Sequence, residues 1–369
     1  MTTRETPVDV DVEAEVGSLV ERLFTGGIAA MEALSIHIGT ELGLYARLYD
    51  AGPSTVAEVA RAAGIDERYA REWLEQQATA ELIDVDDATH PAGVRRYSVN
   101  DVQAAVLVDP TSLAYLAPAG GFVVSFASVM PKLLDAYRTG GGVAYGDYGA
   151  EMRESQAAFN RPAFQSLLAG DWITNGIPDV HKRLSKSGVR ILDAGCGLGW
   201  STIALAQAYP GATVIGIDLD APSIERARQN ATEAGVDDRV TFEVADAVDP
   251  KYAGSFNAVF ILEAVHDLSR PVEVLRALRN ACAEDGTVIV MDERVADSFG
   301  AIGDPVERFM YAASVLHCLP AGMAEQPSAG TGTVMRVDTL RTYAADAGFT
   351  SLAVLPIEHD FFRFYRLEP

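Results

Sequence analysis

Near the N-terminus apolar residues return every three or four positions. Val16, Leu19, Val20, Leu23 and Phe24 share one face of an amphipathic helix. A second apolar helical stretch is expected from Ile28 to Leu48, where Met31, Leu34, Ile36, Ile38, Leu42 and Leu44 leave little room for charge. That density asks for burial on more than one side, against a core or against a second copy. Residues 1–12 are expected to fray.

From Pro53 the pattern shortens. Ser54 or Thr55 caps a helix over Val56–Ala63, Gly64-Ile65-Asp66 turns, and a helix follows over Glu67–Ile83 with Tyr69, Trp73 and Leu74 inward. Val85 to Val99 reads as a β-hairpin with Pro91 and Gly93 in its loop. Helix, turn, helix and two-stranded wing make a winged helix. Residues 111–185 read as helices interrupted by glycine, with Gly140-Gly141-Gly142 as a mobile or lid-like connection. At Val189 the period changes again. Strands at Val189–Ala194, Thr213–Asp218, Val240–Ala245, Phe256–Leu262 and Thr287–Met291 alternate with helices at Ser201–Tyr209, Pro222–Ala234 and Pro271–Cys282. After a helix at Thr339–Ala347, a terminal pair of strands occupies Ser351–Pro356 and Phe361–Leu367. Strands alternating with helices predict a doubly wound, mostly parallel α/β sheet. The expected division is a helical, winged-helix domain over 1–110, a helical linker and lid over 111–185, and a Rossmann-like domain over 186–369 with a lid insertion at 297–335.

Charge changes what the winged helix is expected to do. The 369 residues carry 52 acids against 29 lysines and arginines, a net −23. Between Thr55 and Asp84 seven acids face three arginines, Arg61, Arg68 and Arg71. A helix that approaches phosphates needs a basic surface, so scaffolding or dimerisation is expected in place of DNA binding. Three cysteines, Cys196, Cys282 and Cys318, cannot make a disulfide framework and suit a reducing, cytoplasmic compartment. The acidic, polar start is unlike a signal peptide, and no apolar run is long enough to span a bilayer.

The sharpest chemistry lies at Asp193-Ala194-Gly195-Cys196-Gly197-Leu198-Gly199, between the first strand of the sheet and its first helix, where open α/β sheets bind ligands. The second strand ends in Asp218, a carboxylate able to accept both hydroxyls of a ribose. The third ends at Ala245-Asp246, beside an adenine edge. Dinucleotide sites use G-x-G-x-x-G, whereas here Trp200 stands where the third glycine would fall. Asp193 disfavours a pyrophosphate and tolerates a cationic ligand with an amino group, such as S-adenosyl-L-methionine.

Taken together, Asp193–Gly199, Asp218, Asp246 and Phe256–Asp267 resemble the successive motifs of class I S-adenosylmethionine-dependent methyltransferases. The whole chain is similar to actinobacterial members with an N-terminal winged-helix-like domain, down to Leu319-Pro320 and the closing Phe361–Leu367. The resemblance implies a seven-stranded Rossmann-like sheet. It implies that the backbone of Gly195, Cys196 and Gly197, with Asp193 and Gly199 shaping the loop, holds the methionyl end. Asp218 would take the ribose, Leu219 would pack on adenine, Asp246 and Ala247 would bind its edge, and Glu263 would lie beside the methyl donor. Plant-type O-methyltransferases, which also carry a winged-helix dimerisation domain, place a His-Asp pair where this chain has His266-Asp267, and the histidine serves as base. Their orienting glutamate corresponds to Asp292, one methylene shorter, and their following tryptophan to Leu268.

The expectation is therefore a methyltransferase acting by in-line transfer on a small apolar or aromatic molecule, at oxygen, with His266 as base and S-adenosyl-L-homocysteine as product. Tyr145, Tyr148, Phe159, Met310, Tyr311 and His317 are the expected acceptor pocket. No metal is expected, because no His, Cys and Asp residues show metal-ligand spacing. A homodimer through the N-terminal domain is expected, without nucleic acid or membrane as partner. The alternatives are a cofactor-sensing winged-helix regulator and a nicotinamide-dependent oxidoreductase.

Overall fold

The computed structural model describes residues 12–300 and 303–369; the fraying expected over 1–12 lies outside the described residues except at Val12. The described chain divides into two compact units. One runs through Asp109 and takes up Ala114–Val124; the other comprises Pro110–Leu113 and Ser125–Pro369.

In the first unit, helices at Leu44–Ala51, Val56–Ala63, Glu67–Thr79 and Asp101–Leu107 enclose Leu44, Leu48, Val59, Trp73, Leu74 and Tyr97. Local chemistry sets the ends. Thr55 and Glu58 form a reciprocal capping box, and the Asp66 carboxylate accepts the N–H groups of Arg68 and Tyr69. Three expectations are corrected here. Tyr69, expected inward with Trp73 and Leu74, is exposed while those two are buried. The two N-terminal helices are one, Val12–Glu41, because Gly26-Gly27 lowers helix propensity without breaking the chain, and the break falls instead at Gly43, with φ at +62°. The wing is a ladder of two-residue strands, β1 (Asp84–Val85) and β2 (Tyr97–Ser98). Beyond it, Asp86 and Asp87 accept backbone N–H groups of Arg96 and Thr89, so side chains replace the ladder.

The second unit holds a seven-stranded sheet of β3 (Val189–Ala194), β4 (Ala212–Asp218), β5 (Val240–Val244), β6 (Ala258–Leu262), β7 (Val288–Glu293), β8 (Ser351–Val354) and β9 (Phe362–Glu368). Their spatial order is β5-β4-β3-β6-β7-β9-β8. The first five in that order are parallel, and β9 inserts antiparallel between β7 and β8. This is a Rossmann-like methyltransferase sheet, as expected. Side chains alternate across it: Ile191 and Phe260 pack on one face with Trp172, Leu205 and Phe364, while Leu192, Val259 and Ile261 pack on the other with Leu275 and Leu340. Burial on both faces explains the unbroken apolar run of β6.

The segment expected as linker and lid is built largely into this unit, as helices Met130–Thr139, Gly149–Ala163 and Pro178–Leu184 and a π-helical stretch, Phe164–Ile173. Gly142 is a close approach: a Cβ there would collide with the backbone of Pro320 and Ala324, and the Val143 N–H donates to the Pro320 carbonyl at 2.9 Å. Among the described residues no single helix is long and apolar enough to cross a membrane.

Candidate active site

The sheet order reverses at β3, whose neighbours β4 and β6 lie on opposite sides, and the glycine-rich turn leaves the carboxyl end of that strand. Gly195, Gly197 and Gly199 all have positive φ, which lets the turn fold tightly before the helix Trp200–Ala208. The N–H groups of Gly195 and Cys196 donate to the Ile217 carbonyl, and the Gly197 N–H donates to Asp218 Oδ2 at 2.9 Å. The other Asp218 oxygen accepts the Asp220 N–H at 2.9 Å. Burial pushes the Asp218 carboxyl above its ordinary range against these bonds. Asp193 lies beneath the turn, where Oδ2 accepts the hydroxyls of Ser201 and Thr202, each at 2.6 Å, and Oδ1 has no hydrogen-bond partner. Burial outweighs those hydroxyls and raises its carboxyl to about 6.

Leu219 is exposed, beside the Asp218 carboxylate. The Ala245 N–H donates to the Asp218 carbonyl, which brings the end of β5 and its successors Asp246 and Ala247 to the same rim. Asp246 Oδ1 accepts the Val248 N–H at 3.1 Å. The ten expected cofactor positions thus converge on the carboxyl ends of four adjacent strands.

Glu263 follows β6 with φ at +54°, a left-handed conformation uncommon for a side chain of this size. Its carboxylate accepts a hydrogen bond from Asn160 Nδ2, and burial lifts its pKa to about 7. Burial also pushes the Glu293 carboxyl well up, with Glu263 adding to it. His266 is 3% exposed. Its Nδ1 lies 2.7 Å from Asp292 Oδ1 and its Nε2 3.4 Å from Asp267 Oδ1. Burial works against a charged imidazole, yet Asp292 and then Asp267 hold its pKa well above the ordinary histidine value.

Of the six expected pocket residues the structure gathers three. His317 lies edge-on to Tyr148 and Tyr145, with centroids 4.6 and 5.8 Å away. Its Nε2 is buried without a hydrogen-bond partner, and burial lowers its pKa. The other three make different contacts. Phe159 packs edge-on against Phe361, Met310 is buried in its helix, and Tyr311 accepts a hydrogen bond from Arg336. Helical spacing carried no signal that separated these aromatic roles.

Sequence reasoning missed Asn160 and the pair Arg153–Asp220. The guanidinium of Arg153 donates to both Asp220 oxygens at 2.5 and 2.8 Å, tying helix Gly149–Ala163 to the loop after β4. Arg153 stands 67 residues before Asp220 and Asn160 stands 103 before Glu263, so no local motif could mark these contacts.

A sheet of this order, with a glycine-rich turn at its switch point and a carboxylate closing the next strand, defines a class I methyltransferase fold. More particularly, residues 185–329 match the family model described as "Methyltransferase domain", and residues 30–108 match the "Rv2258c-like winged HTH domain". The chain therefore carries a methyltransferase domain behind a winged-helix domain. Over 124 residues, 33% of its length, it is 35% identical to 27-O-demethylrifamycin SV methyltransferase of Amycolatopsis mediterranei (strain S699), of which it covers 45%. The chain spans less than half the length of the curated relatives it matches. Among solved structures, the mitomycin 7-O-methyltransferase MmcR aligns with a TM-score of 0.66 at 21% identity, covering 96% of this chain and 98% of that one. Human N-acetylserotonin methyltransferase in complex with SAM aligns at 0.64 and 17% identity, covering 98% and 99%. These two likenesses establish the fold.

Proposed function

We propose that the protein transfers a methyl group from S-adenosyl-L-methionine to an oxygen of a small apolar or aromatic molecule. The observation that carries this reading is the Gly195–Gly199 turn clipped to Asp218, with the partly buried Glu263 carboxylate nearby. The residues fit such a ligand. Gly195 has φ at +73° and a Cβ there would crowd Ala264, so glycine lets the turn close against the end of β6. A carboxylate with a pKa near 7 gains from a cationic neighbour. When bound, the cofactor supplies a methyl group already activated as a sulfonium, leaving S-adenosyl-L-homocysteine.

The chain's own work is then positioning and proton removal. Backbone groups of Gly195, Cys196 and Gly197 hold the methionyl end, Asp193 braces the helix behind them, and Gly199 starts it. Asp218 accepts the ribose hydroxyls, Leu219 covers one face of adenine, and Asp246 and Ala247 border its edge. Glu263 sits by the ammonium and sulfonium end. His266, backed by Asp292, would take the acceptor's proton, leaving the acceptor oxygen free for in-line methyl transfer. A base has to start neutral, and because Asp292 and Asp267 raise the ring's affinity for a proton, turnover should climb as pH rises beyond the ordinary histidine range. Tyr145, Tyr148 and His317 face the acceptor. The relatives' names, which include O-methyltransferases, support oxygen as the receiving atom.

Two further parts of the reading concern the whole chain. A homodimer forms through the N-terminal helix, whose apolar face is exposed in a single copy. Its free thiols fit a cytoplasmic setting. Thermal-shift titration tests the central reading. S-adenosyl-L-homocysteine should raise the melting temperature and NAD should not; a shift with NAD alone sinks it.

A further inference from the structure

The turn after β6 and the distant insertion meet at three side chains of different chemistry. His266 Nε2, a carboxylate oxygen of Asp267 and Cys318 Sγ all lie within 4.8 Å of one another. Cys318 sits on a π-helical segment, Ser314–Cys318, a distortion frequent at functional sites. It is far from His266-Asp267 in sequence, which is why no ligand spacing was visible.

We propose that these three groups form a binding site for Zn²⁺, with a fourth position left for an oxygen ligand such as the hydroxyl of the methyl acceptor. The His266 Nε2 to Asp267 Oδ1 separation is 3.4 Å, and that oxygen is buried with no hydrogen bond. An N–H to oxygen bond would close to about 2.9 Å. Two ligands held tetrahedrally at 2.0–2.1 Å from zinc stand about 3.3 Å apart. The spacing is therefore long for a hydrogen bond and right for one edge of a zinc tetrahedron. Imidazole, thiolate and carboxylate are ligands zinc accepts, and three protein ligands with one open position is the pattern of its catalytic sites.

The second layer matches too. A metal-bound histidine usually gives its other ring nitrogen to a carboxylate, and Asp292 Oδ1 stands 2.7 Å from His266 Nδ1. His317 Nδ1 lies 3.5 Å from Cys318 Sγ, placed to donate to a thiolate. The cluster also sets an excess of anionic groups, the carboxylates of Asp267 and Asp292, against one imidazole. A dication would redress that. Zinc at Nε2 replaces the proton there, so His266 is base in the metal-free protein or ligand in the loaded one. In the loaded one, zinc would lower the pKa of an acceptor hydroxyl at the fourth position, whose proton would leave to solvent and not to His266. Only this last role rests on the methyltransferase reading.

Cobalt titration of the chelator-treated full chain provides the test, since Co²⁺ reports thiolate ligation by its near-ultraviolet charge-transfer band. The expected result is a saturable band, displaced by Zn²⁺ and lost in Cys318→Ser. The Cys196→Ser, Cys282→Ser double variant keeps all three ligands and should retain it. Asp292→Asn should weaken Zn²⁺ binding ~10–100-fold. No band in the wild-type protein, or a band lost in the double variant, overturns the site. A thermal shift with S-adenosyl-L-homocysteine, measured on the same samples, separates the two readings. Its persistence without a cobalt band leaves the methyltransferase intact and metal-free, and its absence strikes at the methyltransferase reading instead.

Discussion

At the scale of single residues, Glu263 couples the site to pH. Its pKa rises from 4.5 to about 7 on folding, chiefly through burial. The folded state therefore holds this proton more tightly than the unfolded chain, and the group's contribution to stability falls as pH rises from about 4.5 to about 7. A cationic ligand reverses the sense, because it favours the carboxylate. S-adenosyl-L-homocysteine, which carries the ammonium, should bind more tightly at pH 8 than at pH 6, with proton release visible by calorimetry in buffers of different ionisation enthalpy. Glu263→Gln should flatten that dependence, and an unchanged slope would remove Glu263 from the ammonium's surroundings. Asp218→Ala should cost about 100-fold in affinity for the same ligand, the scale of losing two hydrogen bonds to a charged group. Titration calorimetry reads it, and a loss under about threefold would refute the ribose role. Both positions could be named from the sequence because each sits at a strand end within its own motif. Cys318, Asn160 and Arg153 were not, since each reaches the site from another element and only folding supplies the address.

Among the elements, the glycine triplet shows how close packing imitates flexibility in a sequence. Gly140 ends a helix with φ at +75°, and Gly142 is pressed against the Pro320–Ala324 backbone. Gly142→Ala should destabilise the sheet-bearing unit by about 1–3 kcal/mol, the usual cost of overpacking. Gly141→Ala, which meets only the Thr139 hydroxyl at 3.3 Å, should be nearly neutral. Urea melts of both variants make the comparison, and equal midpoints would restore the triplet to a mobile connection. Strands and helices of the α/β half were readable because burial on both faces produces runs that no loop can imitate. The wing and the helix break were less so. Side chains such as Asp86 and Asp87 satisfied backbone groups locally, and Gly26-Gly27 looked like punctuation while the actual stop was one glycine in left-handed geometry.

For the whole molecule, the acidity and the long helix bear on one question: what the N-terminal domain meets. Residues 1–110 hold 20 acids and 8 bases, net −12 against −11 for the rest, so the charge is densest in the third of the chain that carries the winged helix. The fold class was legible from the sequence, whereas assembly was not, because a buried face and an interface face have the same apolar pattern. The structure separates them within one chain: Val20, Leu23, Phe24 and Met31 are 62, 66, 71 and 65% exposed. Exposed apolar surface of that extent marks an interaction site, and each such side chain gains roughly 1.5–3 kcal/mol on full burial. In light scattering after size exclusion, the wild-type protein should run at twice the chain mass. The double variant Leu23→Glu, Phe24→Glu should run as a monomer that still binds S-adenosyl-L-homocysteine. Wild-type protein that stays monomeric at high concentration would refute dimerisation through this helix. A basic partner recruited by the acidic domain would then be the better account of the exposed stripe.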